Sequence, residues 1–193
     1  MSAAEYKKGG TKITAEYPQL DGKANAGANA AFAREACSTI ENVRKNPEDG
    51  ITADTKGSIQ FCSQSFVSAV FKTDFASKGN AHTSQSIRTV NYDLKNDKAV
   101  WGKDLVVNND ALYQAANTAV KRQLSKELQA YFTPQVLKDS LEQADFYFGK
   151  DGMTVSFTVL YTLGDHAEIS IPYHETQGFR TDSTVWNCLT KQQ

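Results

Sequence analysis

The segment Phe66 to Leu94, FVSAVFKTDFASKGNAHTSQSIRTVNYDL, restricts the fold of this chain more than any other. Two alternating runs of β-formers flank a short polar loop, Ser77-Lys78-Gly79-Asn80-Ala81-His82-Thr83. Alternation places every second side chain on one face of a pleated strand, so the pair predicts two antiparallel neighbours sharing a buried face. Gly79 accepts positive φ without a Cβ clash, and Asn80 visits the left-handed region more readily than most residues, so a sharp turn is expected there. His82, one of three histidines, lies in the same loop. It reads either as a general base or recognition group, or as an imidazole bonded to nearby backbone, and the structural role is the preferred one.

The rest of the chain supplies helices for that sheet. Residues 1–10 are polar, end in Gly9-Gly10 and are expected to be a flexible tail. Lys12 to Tyr17 predicts a short strand stopped by Pro18, and Ala28, Phe32, Ala36, Ile40 and Val43 mark one stripe of a helix over about 23–46. Further strands are expected over 58–62, 66–75, 84–94 and 99–101. Asn108-Asn109-Asp110 offers helix caps, and Leu112, Ala116, Val120, Leu124, Leu128 and Phe132 recur every fourth residue, predicting one long helix. Thr133-Pro134 closes it and opens another that buries Leu137, Leu141 and Ala144. An Asp-Gly signal at Lys150-Asp151-Gly152 predicts a hairpin between 145–148 and 153–161, and a last strand runs over 167–171. Residues 176–193 form a polar tail whose Phe179, Val185, Trp186 and Leu189 are expected to dock back on the body. The fold class is α+β, a mostly antiparallel sheet with helices packed on one face.

Bulk properties exclude several functions. With 193 residues and a net charge of −1, the chain lacks the basic surplus of a nucleic-acid binder. Charge is uneven, since residues 134–173 hold two bases against six acids, a local net of −4 that would steer a basic partner or simply face solvent. No apolar run is long enough to span a membrane. Ser2-Ala3-Ala4-Glu5 resembles the small-residue scar of a cleaved leader, which sets an expectation of export.

Catalytic signatures are missing from the sequence. His82, His166 and His174 show no metal-binding spacing, and neither a GxSxG elbow nor a Gly-rich phosphate loop is present. Neither a cofactor nor a metal is expected, and no residue is assigned a catalytic role. Cys37, Cys62 and Cys188 are too scattered for a CxxC-type site. Three free thiols, or one bridge and one thiol, both remain open. In an exported chain the favoured bridge joins Cys37, on the first helix, to Cys62, on the strand after it.

An ordered set of short motifs resembles the RsiV-like domain. These are the Gly79-Asn80-Ala81-His82 loop, Arg88-Thr89-Val90-Asn91-Tyr92-Asp93-Leu94, Asn96-Asp97-Lys98, and Lys103-Asp104-Leu105 before the long helix. Phe146 to Phe157 and Ile171-Pro172-Tyr173 are similar to the family's aromatic hairpin and closing motif, and Tyr17-Pro18-Gln19-Leu20 to the start of its companion segment. The likeness runs over Lys12 to Glu175, divided into a companion strand-helix segment at 11–56 and a core of sheet and helices at 57–175. Three features depart from the pattern. Asn80 replaces the second loop glycine, the segment Val159 to Gly164 is short and lacks proline, and no sigma-binding arm or membrane helix lies within these residues.

That resemblance implies a non-catalytic, periplasmic or secreted domain, since the family is known from lysozyme-binding anti-sigma factors and from modules accompanying peptidoglycan deacetylases. The expected partner is a lysozyme-like cell-wall hydrolase, met as an inhibitor or immunity protein. The alternative is a peptidoglycan- or glycan-binding accessory module, with Tyr161, Tyr173 and Trp186 as exposed stacking surfaces. Residues expected at the partner site are His82, Asn80, Tyr161, Asp165, Glu168 and Tyr173.

Overall fold

The computed structural model describes residues 1–79 and 82–190. Its frame is a six-stranded sheet of β1 (Ser2–Lys8), β2 (Thr11–Tyr17), β3 (Ile51–Cys62), β4 (Phe66–Ser77), β5 (Ser84–Asp93) and β6 (Lys98–Val100), laid side by side in chain order. Every neighbouring pair is antiparallel except β2 and β3, which are parallel because a helical crossover connects them. That crossover holds α1 (Ala26–Ala36) and α2 (Ser38–Lys45). Phe32, Ile40 and Val43 from these helices meet Ile13, Ile51, Ala53, Val67, Ala69, Phe71 and Val90 to form one core. The predicted α+β class and mostly antiparallel pairing are what the fold shows.

A second sheet of three antiparallel strands, β7 (Asp145–Phe148), β8 (Gly152–Thr158) and β9 (His166–Pro172), sits on the opposite face. Its alternation is clean. Phe146, Phe148, Met153, Val155, Phe157, Ala167, Ile169 and Ile171 point one way and pack with Leu112, Val120, Leu137 and Leu141. Those partners come from α3 (Asp110–Gln123) and α5 (Pro134–Gln143), with the short α4 (Lys126–Tyr131) between them. Phe61 and Phe66 of the large sheet join this core, with Phe66 edge-on to Phe148 at 5.8 Å.

Several expectations are corrected. Residues 1–10 are no tail but the hairpin partner of β2, with Ala4 and Tyr6 packed on the first core. The predicted first helix breaks at Cys37 into α1 and α2. The long four-residue repeat breaks as well. Leu124 is extended at φ −95° and ψ 159°, and the Ser125 hydroxyl accepts from the Leu128 amide to start α4 anew. The caps at Asn109 and Thr133 form as expected. The C-terminal segment does dock: α6 (Val185–Thr190) buries Val185, Trp186 and Leu189, and Trp186 Nε1 donates to the Leu105 carbonyl at 2.8 Å.

Cys37, Cys62 and Cys188 are all free thiols, so the Cys37–Cys62 bridge is not formed. The helix direction explains it. Gly27, at the start of α1, lies against the Tyr92 hydroxyl, and Tyr92 pairs across the sheet with Val67, which pairs with Cys62. Cys37 caps the other end of the same helix, roughly 15 Å further along at 1.5 Å per residue. A disulfide needs Cα atoms within about 7 Å.

Candidate partner-binding tip

Two loops meet at one end of the molecule. The first follows β4, where Lys78 and Gly79 turn the chain and Gly79 takes φ +93°, as its lack of Cβ allows. The second joins β8 to β9. It is closed by the Val159 amide donating to the Asp165 carbonyl at 2.8 Å, and turned by Gly164 at φ +102° and Asp165 at φ +65°. The rings of His82 and Tyr161 stack across the junction with centroids 5.7 Å apart and planes at 29°. Tyr161 remains 66% exposed and its neighbour Leu160 58%, so the tip shows solvent an apolar and aromatic surface.

Beneath the tip, side chains do the work of a strand. The N-terminal half of β5 has a free edge, and β9 offers it no backbone ladder. Instead, Asp165 Oδ2 accepts from the Gln85 amide at 2.8 Å and His166 Nε2 accepts from the Ile87 amide at 3.2 Å. Nε2 accepts only on an unprotonated nitrogen. Burial lowers the His166 pKa below its ordinary value, against the opposing pull of Glu168, Asp145 and Asp165. Ser156 Oγ lies 3.4 Å from its Nδ1.

A polar bridge lies further along. Glu168 takes the Lys72 ammonium at 3.1 Å on one oxygen and the Tyr147 hydroxyl at 2.8 Å on the other. Burial and the Glu168 carboxylate push the Tyr147 hydroxyl up to about 12. Asp145, mainly through burial, is held above the ordinary aspartate range, with Arg88 and Thr89 acting the other way.

The structure therefore gathers some of the expected partner residues and disperses others. His82, Tyr161 and Asp165 converge on the tip, and Glu168 belongs to the bridge below it. Asn80 lies outside the described residues. Tyr173 does not belong to any surface. It is 1% exposed, donates its hydroxyl to the Gly149 carbonyl at 2.7 Å and meets Trp186 edge-on. Trp186 is buried too, so neither ring is an exposed stacking surface. His166 and His174 form no joint site, and no cluster of metal-ligating side chains occurs among the described residues.

No family model matches the sequence, and no curated protein matches it. Solved structures do match. One is a DUF3298 family protein from Pseudomonas aeruginosa PAO1, at a TM-score of 0.66 and 15% identity, covering 94% of this chain and 93% of that one. Another is a DUF3298 member from Bacteroides fragilis NCTC 9343, at a TM-score of 0.61 and 16% identity over 93% of this chain and 88% of that one. The chain shares the DUF3298 fold. At these identities the likeness concerns the path of the backbone and carries no residue roles.

Sequence reasoning missed Leu160 and Trp101, both assigned to strand ends. β8 stops at Thr158 and β6 at Val100, so Leu160 and Trp101 lie past the strand ends and face outward. The available signal was the pair Gly164-Asp165, a left-handed turn signature that shortens the preceding strand. No helix is long and apolar enough to cross a membrane among the described residues.

Proposed function

We propose that this chain is a non-catalytic binding domain of the cell envelope or of a secreted protein, and that its partner is a lysozyme-like, cell-wall-cleaving hydrolase. The observation that supports this reading is the exposed Leu160–Tyr161–His82 surface on a braced mount. Tyrosines on fixed backbone are favoured interface anchors, because they bury area at little cost in lost freedom. Asp165 and His166 hold the Tyr161 loop to β5, so the anchor is pre-positioned. The acidic stretch at 134–173 suits a basic hydrolase, raising the association rate more than the affinity. The choice of hydrolase rests on the RsiV-like resemblance of the sequence motifs.

Titration calorimetry and a muramidase assay against a chicken-type lysozyme and a bacterial muramidase test this. The expected result is a salt-sensitive 1:1 complex that suppresses cleavage, weakened by about tenfold or more in Tyr161→Ala. Absence of a complex with either enzyme overturns the choice of partner. A turnover that vanishes in His82→Ala without a change in melting temperature overturns the non-catalytic reading.

A further inference from the structure

Trp101 is 70% exposed, yet its backbone is tightly held. The next residue, Gly102, packs so closely on Phe146 that a Cβ there would lie 2.6 Å from the Phe146 Cβ and 2.8 Å from its carbonyl oxygen. The indole is thus carried on a turn packed against β7, beside a cleft of about 200 Å³ between β5, β7 and the end of α5. Six residues define its chemistry: Trp101, Thr89, Lys103, Glu142, Gln143 and Asp145.

That set selects among ligand classes. A large exposed indole offers a flat apolar face to carbon-bound hydrogens or to a cation. Glu142 and Asp145 disfavour an anion, while Lys103 in the cleft and Arg88, which acts on Asp145, offset their two charges, so no net field favours a cation. What remains is a neutral ligand with an apolar face and several hydroxyls, able to donate to carboxylates and accept from an ammonium and an amide. Asp145 has acceptor capacity to spare: its hydrogen bond from Thr89 Oγ1 is 3.4 Å long, and its carboxylate accepts no other side chain among the described residues. The small volume fits one ring rather than a folded segment.

We propose that this cleft binds a neutral pyranose unit of a glycan, with the ring stacked on Trp101 and its hydroxyls held by Asp145, Glu142 and Gln143. This site is separate from the Tyr161 tip and stands without the proposed hydrolase partner.

The test uses the whole chain and intrinsic fluorescence, which is clean because the other tryptophan, Trp186, is buried. Chitotetraose and cellotetraose serve as neutral probes, argininamide as the cationic one, and a glycan microarray extends the neutral set. The expected outcome is a saturable blue shift with a neutral oligosaccharide, weakened about tenfold in Asp145→Ala and unchanged in Tyr161→Ala. Titration calorimetry, which does not use the indole as reporter, should show an affinity weakened about tenfold in Trp101→Ala. Matching melting temperatures for Trp101→Ala and the parent confirm that folding is intact. A response to argininamide alone makes the cleft a slot for a partner's basic side chain and overturns the proposal. So does a microarray with no Trp101-dependent signal.

Discussion

The hydroxyl of Ser68 donates to the side-chain oxygen of Asn91 at 2.7 Å, with Ser68 fully buried and Asn91 nearly so. The pair sits on adjacent strands of the large sheet and presents a ready-made donor and acceptor to the edge of the small one. Asn91 Nδ2 donates to the Phe146 carbonyl at 2.9 Å, and the Phe148 amide donates to Ser68 Oγ at 2.9 Å. Two side chains thereby complete an edge of β7 that would otherwise be buried without partners.

Removing one member strands the others. Asn91→Leu leaves the Phe146 carbonyl and the Ser68 hydroxyl short of a partner, at about 1–3 kcal/mol for each buried group. Chemical denaturation of the variant should show a loss of about 2–6 kcal/mol with an unchanged denaturant slope. A loss below about 1 kcal/mol would mean that water replaces the lost bonds.

A second edge cap shows how exposure scales the effect. Gln123 of α3 brackets the outer edge of β9, accepting from the Ser170 amide at 2.8 Å and donating to its carbonyl at 2.7 Å. This site is exposed, so solvent can substitute. Gln123→Ala is expected to cost about 1 kcal/mol or less by the same measurement.

His166 makes stability pH-dependent. Its folded pKa lies below the ordinary 6.5, so between those two values the unfolded chain holds a proton that the folded chain does not. Acid therefore favours unfolding as pH falls from about 6.5 through the folded value, and protonation also removes the acceptor for the Ile87 amide. The denaturation midpoint should fall over that window in the parent and fall less in His166→Gln. Glu35 and Asp145, raised mainly by burial, act in the opposite sense at lower pH, so the difference between the two proteins is the quantity to follow. Parallel pH curves would remove His166 from this role.

The thiols give a direct chemical check. Denatured protein prepared without reductant should titrate all three cysteines, and the native chain should react first at exposed Cys62. Burial raises the thiol pKa at both Cys37 and Cys62, which keeps each less reactive than a free thiol. A single titratable thiol in the denatured chain would restore a bridge.

The sequence by itself determined what is local. Period-two alternation around residues 66–94 specified β4 and β5, Asp151-Gly152 specified the hairpin of β7 and β8, and Asn109 and Thr133 marked helix starts by the reach of their own side chains. Tertiary structure decided the rest. The repeat from Leu112 to Phe132 is compatible with one helix, yet the chain is extended at Leu124, Ser125 caps a new helix, and Phe132 packs on Phe157 of β8. The strand at Ser2–Lys8 exists because β2 supplies its hydrogen-bond partners. The meeting of His82 with Tyr161, and the placing of Trp101 beside Asp145, follow from how two sheets lie on one another. Alternation tells which face of a strand is apolar, but not which loop, from elsewhere in the chain, will stand beside its end.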